Sequence, residues 1–329
     1  MVGTTLTPPT TQIRAAETGL LQRAFAVRRA NFPDEIKFFA PGLKRYATDE
    51  LEQNNPRAFQ SVSITGSACA LDCDHCNKKI LEPMIPLNPR TGLFNLCKHL
   101  ASNGTESVLI SGGSKSTGET PFMKHTADIR RVKDELGMRI IVHTGLVLKN
   151  KEAAALKSAG VDGIALDIIG ADETIREVYH LDATTKDYDR SLALLSGHGL
   201  SLRPHIIIGL HYGQILGEHY ALEMIARHPI HSVVLVILVP MHDTKMWGVK
   251  PPDTSEVADF FAHSRIEMPQ TPVLLGCARP LGDYKSTVDK AAVEAGLNGI
   301  AFPAEGIVAH SAGMGLKPVY YENACSCGT

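Results

Sequence analysis

The feature that most constrains this chain is a rhythm. Short β-branched or apolar runs, bounded by turn residues, alternate with stretches of helical periodicity. Eight such runs stand at about 61–65, 107–111, 139–144, 163–168, 202–210, 232–240, 271–276 and 299–303. Helix-like stretches lie between them, among others at 91–103, 123–137, 149–160 and 284–296. Two of these end alike, in Ala159-Gly160 before Val161-Asp162-Gly163 and in Ala295-Gly296 before Leu297-Asn298-Gly299. Each reads as a helix stop followed by a strand entry. Strand–helix alternation calls for a parallel sheet, since parallel strands need a crossover where antiparallel ones need only a hairpin. Eight units predict an α/β fold, a (β/α)8 TIM-type barrel, with an open doubly wound sheet as the alternative. Residues 1–60 precede the first run as a helical extension, with a helix expected at 11–29. Residues 61–329 form the barrel and its tail, and the absence of any linker or low-complexity stretch makes the whole a single domain.

Composition narrows the function classes. The chain has 329 residues, is 44% hydrophobic, and sets 33 Lys and Arg against 35 Asp and Glu. That supplies a core needing no staples. The near-neutral balance does not suit a protein built to grip nucleic acid or an anionic membrane. The longest apolar run, 233–241, is far short of a membrane span. The first ten residues hold neither an apolar signal region nor an Arg-rich targeting helix. A cytoplasmic enzyme is expected, with no nucleic-acid and no membrane partner.

The seven cysteines are odd in number and the chain is not a small secreted one, so a disulfide framework is a poor reading. Cys97 falls with Leu93 and Leu100 on one apolar helix face and reads as core. The other six form two groups. Cys69, Cys73 and Cys76 follow the spacing C-x3-C-x2-C; Cys277 joins Cys325-Ser326-Cys327 near the end of the chain. Clustered thiols in a reducing compartment suggest metal. Barrel enzymes carry their chemistry at the C-terminal ends of the strands. Cys69–Cys76 follow the first run, Gly112-Gly113 the second, and His211-Tyr212 the fifth; Thr144, Asp167 and Cys277 end the third, fourth and seventh. The polar and metal-type residues thus fall on one rim. Three thiolates within eight residues can hold three corners of a cubane iron–sulfur cluster and leave one iron open. Zinc would need a fourth ligand, and His75, adjacent to Cys76, is awkward for that chelate.

In this barrel context the chain resembles the radical S-adenosylmethionine (SAM) superfamily, whose hallmark is C-x3-C-x-φ-C with φ aromatic. Cys69, Cys73 and Cys76 match it, and His75 takes the aromatic position. The resemblance implies a [4Fe–4S] cluster whose open iron binds the amino and carboxylate groups of SAM. One electron then cleaves SAM, and a 5′-deoxyadenosyl radical removes hydrogen from substrate. It implies that Ser111, Gly112 and Gly113 lie where backbone approaches the SAM amino group; glycine, lacking Cβ, suits that approach. The family often has Glu next, and this chain has Ser114. His75, Thr144 and Asp167 take cofactor-facing positions, Thr144 and Asp167 reading equally as satisfied loop residues. Ile206-Ile207-Ile208-Gly209 resembles the family's adenine-side segment or is a plain buried strand.

The second group, Cys277, Cys325 and Cys327, suggests an auxiliary iron–sulfur cluster, if the tail folds back over the barrel mouth. Its fourth ligand would be exogenous or not a cysteine. The alternative is two tail thiols and a core cysteine. Arg279 either lines the cavity as a catalytic group or makes a rim salt bridge. The segments Phe39–Arg45, Gly276-Cys277-Ala278-Arg279-Pro280 and Cys325-Ser326-Cys327-Gly328 are similar to the biotin-synthase-like branch. Within it, the chain is most similar to one subunit of the two-component lipoyl synthases. This implies sulfur insertion into an octanoyl chain on a carrier protein, of the E2 or glycine-cleavage H type. It also implies an electron donor such as ferredoxin or flavodoxin, and a second radical SAM subunit. The single-chain lipoyl synthases carry auxiliary cysteines near the N-terminus in a spacing that this chain lacks. The competing expectations are another reaction of the branch, a rearrangement or methylation with the second cluster in electron transfer, and a redox subunit that cleaves no SAM.

Overall fold

The computed structural model describes residues 10–42 and 44–327, with side chains from residue 19 onward. Residues 1–9, Leu43, Gly328 and Thr329 lie outside the described residues, and with them parts of the predicted extension and of two matching segments. In chain order the elements are α1 (Thr10–Asn31), β1 (Glu35–Phe39), β2 (Phe59–Ser63), β3 (Ile85–Pro86), α2 (Leu93–Ser102), β4 (Ser107–Ser111), α3 (Thr126–Leu136) and β5 (Arg139–His143). There follow α4 (Asn150–Ala159), β6 (Gly163–Asp167), α5 (Asp172–Glu177), α6 (Thr185–Gly197), β7 (Leu202–Ile208), α7 (Glu218–Ala226) and β8 (Val233–Ile237). The chain closes with α8 (Thr254–Glu267), β9 (Val273–Leu275), α9 (Asp283–Glu294), β10 (Gly299–Ala301), α10 (Ile307–Gly313) and β11 (Lys317–Tyr321).

Local chemistry sets these boundaries. α4 stops where Gly160 takes φ 73° and its N–H reaches the Lys157 carbonyl, the left-handed cap that a side chain disfavours. α6 and α8 each begin in a capping box, Thr184 with Asp187 and Asp253 with Glu256.

The strands form one sheet in the order β11-β1-β10-β9-β8-β7-β6-β5-β4-β2-β3, and every recorded pairing is parallel. The eight predicted runs are β2 and β4 through β10, side by side in sequence order. β3 extends one end; β1 and β11 extend the other, and α1 packs on α8. The sheet curls. Phe59 on β2 and Val234 on β8 share one small cluster although four strands lie between them. On a flat sheet they would stand roughly 24 Å apart. The fold is the predicted (β/α) barrel in open form, a curled parallel sheet whose ends among the described residues are β3 and β11.

Alternation along the strands divides two interiors. Val62, Val108, Ile110, Ile140, Val142, Ile164, Leu166, Ile206 and Leu235 join the main core with the helices. Phe59, Leu109, Ile141, Ala165, Val234 and Val236 face the inside of the barrel and pack with Cys325 and Cys327. The tail reaches that place because Glu322 accepts the N–H groups of Asn54 and Asn55 at 2.7 and 2.6 Å, and Asn323 donates to Glu106 at 2.8 Å. Cys97 is fully buried on α2, as its helix face predicts.

Candidate active site

The loop between β2 and α2 carries Cys69, Cys73 and Cys76, all free thiols and all partly buried. A turn at Cys73 shapes it: Cys76 and Asn77 both donate their N–H to the Cys73 carbonyl, at 3.1 and 3.0 Å. The loop after β4 is stitched to it. Gly113 N–H donates to Thr65 Oγ1 at 2.7 Å, Ser114 N–H to Cys69 Sγ at 3.2 Å, and Ala70 N–H to the Ser114 carbonyl at 2.7 Å. A Cβ on Gly113 would stand 2.1 Å from the Ala68 carbonyl oxygen and 2.5 Å from Cys69 Cβ. Glycine is required there for close approach. A cavity of about 430 Å³ opens beside Cys69, lined among others by Thr65, Ser67, Lys78, Gly113 and Ser114.

Burial pushes the Cys73 thiol up to about 12, with Cys76 and then Cys69 adding to the effect, and burial also raises Cys76. Crowded thiols of this kind ionise readily only when a cation takes their charge. Two buried polar atoms beside them, His75 Nδ1 and the Tyr179 hydroxyl, have no hydrogen-bond partner. The His75 ring packs on Tyr179 at 5.0 Å between centroids, and burial holds its pKa down at about 4. Free crowded thiols, orphaned polar atoms and a cradle that a Cβ would fill together fit a cluster with an added ligand. Among the described residues no group of three or more His, Cys, Asp or Glu side chains stands close enough to hold a single metal ion. A cubane instead needs thiols spread around a space.

Beneath this loop lies a polar layer. His143 and Asp167 occur two residues beyond Ile141 and Ala165, and so share their inward face. His143 Nε2 stands 3.8 Å from Asp167 Oδ1, and the rings of His143 and His205 are 6.1 Å apart. Burial disfavours charge on His143, but the neighbouring Asp167 carboxylate outweighs it and raises its pKa. Burial likewise opposes the Asp167 carboxylate, and His143 more than compensates. His205 is held at about 4 by burial and stays neutral. Asp167 also feels Cys76, Tyr179 and His75, so this layer faces the thiol loop. One strand repeat the other way, roughly 7 Å along the strands, come Ile141 and Ala165 with the tail cysteines.

Other predicted site residues fall differently. Ser111 is buried at the end of β4, two residues beyond inward-packed Leu109, and Gly112 abuts Thr65. Thr144 is fully buried and its hydroxyl donates to the Gly145 carbonyl at 2.9 Å, so the structure gives it the loop role rather than an open hydroxyl. Of the second group, Cys325 and Cys327 stand together inside the barrel, with Phe59, Ile141, Ala165 and Val234 around them. Cys325 and Cys327 are joined in a disulfide, their Cα atoms 5.2 Å apart, because a C-x-C pair tucked into a turn can reach itself. Only when reduced can they offer two thiolates. Cys277 is free and exposed at the end of β9. Arg279 is corrected from catalytic to structural. Its buried guanidinium clasps Asp289 at 2.5 and 2.9 Å and donates to the carbonyls of Gly276, Ala301 and Phe302.

The sequence reading passed over His143, His205, Tyr179 and Asp74. The two histidines had a signal, polar side chains at inward positions of otherwise apolar strands. Tyr179 and Asp74 had none, because their partners lie far along the chain.

The sequence model of the radical SAM superfamily matches residues 63–218, which take in the thiol loop, the glycine pair and Asp167. The chain is 32% identical over 260 residues to the biotin synthase of Granulibacter bethesdensis, covering 75% of this chain and 79% of that one. It is 24% identical over 240 residues to the biotin synthase of Beijerinckia indica, covering 69% and 72%. Among solved structures, methylornithine synthase superposes with a TM-score of 0.60 over 93% of this chain and 90% of its own, at 15% identity, a likeness of fold. Family membership brings a [4Fe–4S] cluster and SAM as cofactors, and a second iron–sulfur cluster is typical of the branch. The chain belongs to the radical SAM superfamily, in its biotin-synthase-like branch.

Proposed function

We propose that this radical SAM enzyme inserts sulfur into a protein-bound octanoyl chain, as a lipoyl-synthase-like subunit. The observation that carries the reading is the place of Cys325 and Cys327. They lie inside the barrel, on the same inner wall as the His143–Asp167 layer and one strand repeat from it. When bound, the cofactors supply a 5′-deoxyadenosyl radical at one end of this space and sulfide at the other. Cys69, Cys73 and Cys76 hold the first cluster. Gly112 and Gly113 let backbone approach SAM, and neutral His75 faces it. The polar layer then separates the radical from the tail thiols, and a substrate carbon must lie near that layer to meet both. Cys277, beside Lys44, is the third thiol on offer for the second cluster. The substrate is an octanoylated carrier of the E2 or glycine-cleavage H type, the reductant a ferredoxin or flavodoxin, and a second radical SAM subunit shares the task. A cytoplasmic setting, whose reducing conditions keep thiols available to iron, is part of this reading. Among the described residues no helix is long and apolar enough to cross a membrane.

The test is iron and sulfide content with electron paramagnetic resonance after anaerobic, reductive reconstitution. Wild type is expected to hold about eight irons and the Cys325→Ala/Cys327→Ala variant about four. The variant should still release 5′-deoxyadenosine but should form no carbon–sulfur bond on an octanoylated carrier. About four irons in both proteins would remove the sulfur donor and favour the rearrangement or methylation reading.

A further inference from the structure

We propose that Asp74 is a positioning residue that locks the SAM-cluster loop to the three rim loops across the barrel, so that iron retention depends on their closure. The inference rests on the assignment of Cys69, Cys73 and Cys76 as cluster ligands. Asp74 lies inside that motif, between Cys73 and Cys76, and is buried. Its carboxylate collects three donors from three different loops. His180, after β6, meets Oδ1 at 2.5 Å; Lys245, after β8, meets the same oxygen at 2.8 Å; the Tyr212 hydroxyl, after β7, donates to Oδ2 at 2.7 Å. Its backbone is held as well. Asp74 N–H donates to the Val178 carbonyl at 2.9 Å, and Met246 N–H donates to the Asp74 carbonyl at 3.3 Å.

The convergence is not incidental to the local backbone. His180 and Tyr212 both adopt left-handed conformations, with φ 52° and 51°, which side chains disfavour. Something must hold them there, and each ends on Asp74. A second tie runs beside the first: Asn77 donates to the Asp243 carbonyl at 3.1 Å, and Lys79 pairs with the Asp243 carboxylate at 3.3 Å. The cluster loop is therefore clasped to the far rim on its outer side, while Gly113 and Ser114 hold its inner side. Opening the rim loops must drag the thiols, and a seated cluster must hold those loops closed.

The experiment uses the Cys325→Ala/Cys327→Ala background, so that the iron measured belongs to the first site. Release of iron to a ferrous chelator is followed with and without Asp74→Asn, Tyr212→Phe and Asp74→Glu. Asp74→Asn should release iron roughly tenfold faster, the equivalent of ~1.4 kcal/mol in the opening of the loop. Tyr212→Phe, which keeps the charges, should fall between, and Asp74→Glu should restore part of the retention. Asp74→Asn should also raise the cluster's midpoint potential, because one negative charge leaves the loop, whereas Tyr212→Phe, which removes only the hydrogen bond, should release iron faster with the potential unchanged. Release at the parent rate in both Asp74→Asn and Tyr212→Phe would overturn the proposal, whatever the potential does. A parent protein that binds no iron would overturn the ligand assignment instead, and the clasp with it.

Discussion

Gly113 carries more of the site than any side chain beside it. The space that its Cβ would need is filled by the Ala68 carbonyl and by Cys69 itself. Gly113→Ala must therefore push the cluster loop outward, at a cost of roughly 1–3 kcal/mol. We expect reconstituted iron to fall well below that of wild type, with a lower melting temperature. Gly313→Ala, at an open helical position in α10, should leave the iron unchanged. The His143–Asp167 pair makes a second prediction at this scale. His143 has a raised pKa in the folded state, so its contribution is full below the unfolded value near 6.5 and is lost as pH rises through the folded value. Asp167 is depressed, so its contribution is lost only as pH falls into the acid range. Wild type should thus lose stability between pH ~6 and ~8.5 by more than Asp167→Asn does, in denaturant titrations. Equal slopes for the two proteins would remove the pair as a titrating element. Gly113 and Asp167 were legible from spacing and strand position. Asp74 was not, because its partners His180 and Tyr212 are 106 and 138 residues away.

Elements tell a similar story with one reversal. Each of the eight predicted strands exists, and α1, α2, α3, α4 and α9 stand where the periodicity and glycine stops put them. β1 and β11 escaped notice because they lie outside the strand–helix rhythm. β11 includes Pro318, which an end strand tolerates. The reversal is Arg279. Its motif placed it on the rim, yet it joins the end of β9 to α9 and to the exit of β10, through Asp289 and three carbonyls. Arg279→Met leaves Asp289 buried with Lys285 as its remaining cation, and should cost about 3–5 kcal/mol in equilibrium unfolding. Arg279→Met/Asp289→Leu should recover much of that loss, since a buried pair can be replaced by packed apolar groups. If instead the single variant folds as stably as wild type but is inactive, the catalytic role regains its standing.

At the scale of the whole molecule, the curl of the sheet makes the site. It sets residues of β2 and β8 against one tail and stacks thiol loop, polar layer and tail cysteines along one interior. That stacking is why the two-residue change at 325 and 327 is expected to remove half of the iron while sparing SAM cleavage. The sequence by itself determined the alternation of elements, the parallel sheet, the thiol spacing and the glycine pair. These depend on neighbours a few residues apart, where periodicity and steric rules act directly. Only the tertiary structure decided that Cys325 and Cys327 pack against strands β2, β5, β6 and β8 inside the barrel, that Arg279 is enclosed by Asp289, and that Asp74 gathers three loops. Those outcomes depend on which distant segments the curled sheet brings within a few ångströms, and short-range pattern does not carry that distance.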